Sequence, residues 1–297
     1  IVTAFMAGLG LGSLLGGWIS DRSSRKTSLA LFALCELGIG LFALASPWVY
    51  YDFAYLQLGF LIHTPAVLPI VHFGLLLIPT LLMGASLPLL SRAIVADVDG
   101  AARTIGILYG LNTFGAALGA ALSSWLFIGL VGFEGTIRIG ALGNLLAALG
   151  AILLVRAASS PRQAVPTRTS VAQPIAPPQT EVRFGLPAWC ALYALAGFIA
   201  LSLELLWFRI LDVMIKSSPY MFGHLLFFFL GFLSLGTLYG SVRVGRWRRP
   251  DLVGLWCLWG VTAWFGFSLL ALSLVPLDAI GLGLEAYWST DEGIRMM

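Results

Sequence analysis

Apolar runs long enough to cross a bilayer recur along this chain, and no other feature narrows its fold so far. A hydrocarbon core of about 30 Å takes roughly 20 residues of helix. Eight runs of that length stand between polar breaks, at 1 to 19, 28 to 48, 66 to 91, 104 to 132, 136 to 155, 186 to 215, 219 to 242 and 251 to 275. They are continuous rather than alternating, and only closed barrels let strands cross lipid, so helices are expected. Composition agrees, since 59% hydrophobic and 10% charged residues would leave a water-soluble protein of 297 residues without a polar surface. The expected fold is all-α, a polytopic membrane helix bundle of about eight transmembrane helices.

The positive residues fix its orientation. Arg22, Arg25 and Lys26 follow the first run, Arg92 and Arg103 flank the third connection, Arg156, Arg162, Arg168 and Arg183 lie around the fifth, and Arg243, Arg246, Arg248 and Arg249 end the seventh. These sites alternate, so all belong on the cytoplasmic side, while the outer connections carry only Arg138 and Lys216. The net charge of +3 therefore reports topology. The partner it implies is the lipid bilayer, with no nucleic acid.

Composition changes abruptly at 156 to 185, a stretch rich in Pro, Ser, Thr, Ala and Gln that reads as a flexible cytoplasmic linker. It divides a five-span bundle at 1 to 155 from a three-span bundle at 186 to 275, leaving 276 to 297 as a tail with no structural expectation. A shift of 224 residues lays FMAGLGLGSLLGGWISDRSSRK over FLGFLSLGTLYGSVRVGRWRRP, matching Phe5 with Phe229, Leu9 with Leu233, Leu11 with Leu235, Gly12 with Gly236, Gly16 with Gly240, Arg22 with Arg246 and Arg25 with Arg249. The two bundles thus read as internal repeats of the same polarity. The opening IVTAFMAGLG lacks an initiator Met and a basic flank, which argues against a signal peptide and for a first span entered part-way. Cys35, Cys190 and Cys257 lie in apolar runs without metal or disulfide spacing and are expected to be packing residues.

Gly17 to Lys26 reads G-x-x-x-D-R-x-x-R-K, which resembles the signature between the second and third helices of the major facilitator superfamily. Ser24 departs from it, standing where those transporters often carry glycine, so a looser turn is expected. The resemblance implies a major-facilitator-like but incomplete bundle, with these spans corresponding to helices two to nine of twelve and the Pro-rich stretch to the central loop. The stretches AFMAGLGLGSLLGG, PTLLMGASLPLLSRA, GILYGLNTFGAALGAAL, GTIRIGALGNLL and GFIALSLELLWFRIL are similar to the membrane half of bacterial fused facilitator and spermidine synthase proteins. That similarity implies a cell-membrane location, a polyamine or other small solute, and a soluble aminopropyltransferase domain as partner. The catalytic part of such proteins needs a glycine-rich loop after a strand. Here GLGLG at 8 to 12 lies inside a span, and GLGLE at 281 to 285 has no room for a βαβ unit after it. No catalytic residue and no cofactor are assigned. Two functions stand: the membrane domain of a spermidine synthase-like protein, or a facilitator-type transporter of a small solute. A transport-incompetent scaffold is the third.

Within the spans, polar residues carry the functional information. Asp21, with Arg22, Arg25 and Lys26 after Gly17, can form a gate latch in which the carboxylate takes a guanidinium or a helix amino terminus; the other reading is a solvated positive-inside loop. Gly8, Gly12 and Gly16 recur at four-residue spacing, as do Gly115 with Gly119 and Gly236 with Gly240, and are expected to let helices approach closely. Glu36, Asn112 and Asn144 each stand eight residues into their runs, near mid-membrane, as a cation or proton site or as a local hydrogen-bond set. Glu204 and Arg209 are five apart and do not face each other, whereas Arg209, Asp212 and Lys216 can satisfy one another near the outer interface. His63, His72 and His224 lack partners at ligand spacing, so no metal is expected. Pro79 and Pro88 are expected to interrupt backbone hydrogen bonding within the third span and kink it, and Trp125, Trp189 and Trp207 suit interfacial anchoring.

Overall fold

The computed structural model describes residues 2–57, 67–95, 100–157, 185–214, 219–247, 249–274 and 282. Among these residues the elements are helical: α1 (Val2–Arg22), α2 (Arg25–Pro47), α3 (Val67–Ile94), α4 (Ala101–Leu122), α5 (Ile128–Ala157), α6 (Leu186–Met214), α7 (Pro219–Arg243) and α8 (Pro250–Leu274). A π-helical segment, Trp48–Gln57, prolongs α2, and another, Ser123–Phe127, joins α4 to α5. Seven helical runs are long and apolar enough to cross a membrane, and the chain is a multi-pass membrane protein. Most of the expected linker and tail, and His63, lie outside the described residues.

Seven runs replace the eight expected because the fourth and fifth fall in one, Ala101–Ala157, of 57 residues. At 1.5 Å per residue this is about 85 Å, nearly three times the bilayer core, so it is not one straight crossing. It breaks at Gly132, whose φ of 71° and ψ of −178° lie outside the helix and in a region that a β-carbon disfavours. Just beyond the break Glu134 pairs with Arg138 at 3.1 Å, with both side chains exposed.

Two compact units divide the chain: Ile1–Pro166 with Leu226–Gly245, and Thr167–Leu225 with Arg246–Met297. The first holds α1 to α5 and most of α7. Its tightest seam joins α1 to α3, where Ala4, Gly8, Gly12, Gly16 and Ser20 form a single row of small buried residues at four-residue spacing. A β-carbon at Gly8 would run into Thr80, at Gly12 into the Leu81 carbonyl, and at Gly84 into the Leu9 carbonyl. At Gly16 it would stand 2.7 Å from the Ala85 α-carbon. Lipid gives helices no hydrophobic drive to associate, so this backbone contact supplies the attraction instead. Helix α3 runs through Pro79 and Pro88 as one element. Beside Pro79 the Thr80 hydroxyl bonds back to its own helix, donating to the Leu76 carbonyl at 2.7 Å with the Leu77 carbonyl at 3.1 Å, the local bond by which a helical threonine pairs its hydroxyl.

A second seam explains why Leu226–Gly245 groups with the first unit rather than with the other carboxy-terminal helices. Ser234, fully buried on α7, donates its hydroxyl to the Gly110 carbonyl of α4 at 2.8 Å. Gly110 lies against Leu238, and a β-carbon at Gly106 would run into the Ser241 hydroxyl. The close approach therefore uses Gly106 and Gly110. Gly115, Gly119, Gly236 and Gly240, expected to pack, have nothing within 4 Å of an added β-carbon. On α4 the buried residues are Gly110, Thr113, Ala117 and Ala121, and Gly115 and Gly119 lie about 200° around the helix from Thr113 and Ala117. In the second unit, Phe208 and Phe222 stack at 5.2 Å, and α8 exposes Trp256, Trp259 and Trp264.

Gly12→Leu is expected to cost about 2 kcal/mol or more of stability in detergent, read from denaturant unfolding. Gly10→Leu, where a β-carbon meets nothing within 4 Å, is expected to leave the midpoint nearly unchanged.

Candidate functional site

The opening cluster becomes a two-residue connection that serves three helix ends. Helix α1 finishes on carbonyls that need donors. Ser20 Oγ donates to the Gly17 carbonyl at 2.8 Å, Arg22 Nη1 to Trp18 at 3.0 Å and Ser23 Oγ to Ile19 at 2.8 Å. The Ser23 backbone N–H donates to Ser20 at 3.1 Å. Ser24 then caps α2: its backbone is extended, with φ −69° and ψ 158°, and its Oγ accepts the Thr27 N–H at 3.1 Å. The residue that departs from the facilitator signature thus makes the turn compact, contrary to the looser turn expected.

Arg25 stands in the first turn of α2, where a cation opposes the helix dipole. Its guanidinium turns to the carboxy terminus of α3, donating to the Ala93 carbonyl at 3.2 Å and the Ile94 carbonyl at 2.8 Å. Cation and carbonyl dipoles there favour each other. Asp21 is exposed and makes no ion pair or hydrogen bond among the described residues; the two guanidinium groups expected beside it have gone to Trp18 and to α3. Lys26 is exposed.

The second cluster lies deeper. Glu36 is the midpoint of α2, eleven residues from Arg25 and eleven from Pro47, or about 16 Å along the axis from either end. Ala33, Glu36 and Gly40 fall three and four apart, on one stripe. Gly40 shows what that stripe meets, since its β-carbon would touch Leu145 at 3.0 Å and the Ala141 carbonyl at 3.2 Å on α5. On α5 the facing stripe is Ala141, Asn144, Ala148 and Ala151, whose three alanines are buried. Glu36 and Asn144 therefore share the α2–α5 seam, with Asn144 level with Gly40 and one turn from Glu36.

They do not bond to each other. Asn144 Nδ2 donates to the Gly140 carbonyl of its own helix at 3.3 Å, and Glu36, half-buried, has no hydrogen bond or ion pair among the described residues. Asn112 is exposed on α4, turned about 100° from its neighbour Thr113 on the packed face, and does not join them. Glu204 is half-buried and Arg209 exposed on α6, in the second unit, and the side chains of Asp212 and Lys216 lie outside the described residues. Among the described residues no group of three His, Cys, Asp or Glu could hold a metal ion. Cys35 is buried on α2, whereas Cys190 and Cys257 are exposed.

No family model, curated protein or solved structure matches the chain.

Ser24→Ala is expected to lower stability by about 1 kcal/mol and Ser24→Gly by a few tenths, since glycine retains much of the cap preference. Arg25→Ala is expected to cost roughly 1 kcal/mol at this exposed position. Unfolding of the full chain in detergent checks all three.

Proposed function

We propose that this chain is the membrane domain of a spermidine synthase-like protein with a major-facilitator-like architecture, residing in a bacterial cell membrane. The sequence stretches named above support the family, and the hairpin at Gly17 to Lys26 supports the architecture: a two-residue turn at the cytoplasmic end of α1, with its Arg25 fastened to α3. The catalytic aminopropyltransferase would be a soluble partner domain, and the membrane domain would position it or supply it with amine.

The observation that carries a role in handling solute is Glu36. A charge held in hydrocarbon costs about 3 kcal/mol even on insertion scales, so a carboxylate well inside an apolar helix, with no hydrogen bond or ion pair among the described residues, calls for a cation or a proton. An amine solute, cationic at neutral pH, would supply the missing charge, and Asn144 one turn away offers an amide to its N–H groups. The same residue also supports the second reading, a facilitator-type transporter acting without an enzyme.

Reconstituted into liposomes with the full chain, Glu36→Gln is expected to cut uptake of labelled putrescine at least tenfold at equal protein level, with Asp52→Asn, on the π-helical segment that prolongs α2, as a control remaining near wild type. Equal flux in wild type and Glu36→Gln would remove Glu36 from the solute path. Putrescine uptake by neither protein, with aminopropyltransferase activity co-purifying with the chain, would favour the placing role over transport.

A further inference from the structure

We propose that the outward face of α1 seats one anionic phospholipid of the cytoplasmic leaflet, with Arg22 and Trp18 holding its phosphodiester, and that α7 repeats the seat with Arg243 and Tyr239. On α1 the residues Leu11, Leu15, Trp18 and Arg22 follow at spacings of four, three and four, so they form one stripe. Trp18 lies about 200° around the helix from both Gly16 and Ser20 of the row packed on α3, so this stripe faces away from that seam. All its apolar members are open, Leu15 at 54% and Trp18 at 58% exposure.

Its chemistry is ordered along the helix. Leucines come first, then an indole, then a guanidinium whose central carbon stands 4.2 Å above the indole ring. Arg22 spends one N–H on the Trp18 carbonyl, and its remaining donors lie in the plane that suits a phosphate. Asp21, its neighbour in sequence, does not pair with it, and residues 21 to 26 sum to a charge of +2 from Asp21, Arg22, Arg25 and Lys26. From Leu11 to Arg22 is eleven residues, about 16 Å, or one half of a 30 Å hydrocarbon core. A free anion would use only the last turn of such a stripe. An acyl chain, an interface and an anionic headgroup use all of it.

Helix α7 carries the same order. Phe232, Leu235, Tyr239 and Arg243 are spaced three, four and four, the first three are exposed, and the Arg243 guanidinium lies 5.4 Å from the Tyr239 ring centre. Phe232 to Arg243 is again eleven residues. The 224-residue shift does not align Arg22 with Arg243, so the recurrence is independent of the repeat in sequence. Surplus positive charge on an aromatic platform at the level of the headgroups selects anionic over zwitterionic lipid.

The test is native mass spectrometry of the full chain released from nanodiscs of mixed phosphatidylglycerol and phosphatidylcholine. Wild type is expected to retain two phosphatidylglycerol molecules beyond its phosphatidylcholine complement, Arg22→Gln one, and Arg22→Gln with Arg243→Gln none, while Arg138→Gln keeps two. These arginines are outside the packed seams, so unchanged thermal unfolding of each variant verifies its fold. Phosphatidylglycerol retention that is the same in wild type and the double variant overturns the proposal. So does displacement of the retained lipid by inorganic phosphate, which would make the site a reader of free anions.

Discussion

Contact between the backbones of α1 and α3 is the constraint on which the rest of the amino-terminal unit depends. In hydrocarbon, two helices gain nothing by hiding leucines from each other, because lipid tails are just as apolar. What remains is dispersion at short range, and it grows only where side chains are absent. The row Ala4, Gly8, Gly12, Gly16 and Ser20 removes them from α1, and Thr80, Gly84 and Ala85 remove them from α3. The larger residues are left to face outward, as Leu14 does at 73% exposure.

Given that seam, the hairpin between α1 and α2 follows from the need to close helix ends. A connection of two residues between α1 and α2 leaves little backbone to satisfy orphan carbonyls, so Ser23 serves two of them, its hydroxyl donating to Ile19 and its N–H to Ser20. Arg25 extends this economy to α3, whose end it reaches because α1 and α3 are already in register. Helix α2 in turn meets α5 through Gly40, one turn from Glu36, which is left half-buried on the same stripe.

Much of this was legible in the sequence wherever the controlling physics is local. Apolar run length located the helices, whereas the continuation of α2 through Trp48–Gln57, past the expected end of the second run at 48, was not legible there. The strict four-residue spacing of Gly8, Gly12 and Gly16 pointed to the packed face of α1, although Thr3, Ala7, Gly10, Ser13 and Gly17 make a second small face whose Gly10 and Gly17 meet nothing. Helix α4 could not be read so, because Gly106 with Gly110 and Gly115 with Gly119 have the same spacing, and only the position of Ser234, Leu238 and Ser241 decides between them. The destination of Arg25 was hidden for a related reason: the carbonyls it serves end a helix 68 and 69 residues away. The break between the fourth and fifth runs was legible too, since the fourth run ends at 132 and Glu134 and Arg138 follow, but the positive φ that makes it with almost no loop was not.

The glycine seam also sets how this chain can change over generations. At Gly8, Gly12, Gly16 and Gly84 there is no smaller amino acid to move to, so every replacement adds volume where carbonyls and α-carbons already touch. Leucines facing lipid can exchange for isoleucine, valine or phenylalanine with little effect, and the family of tolerated sequences should therefore drift freely in its bulky residues. Its smallest residues are the ones held in place.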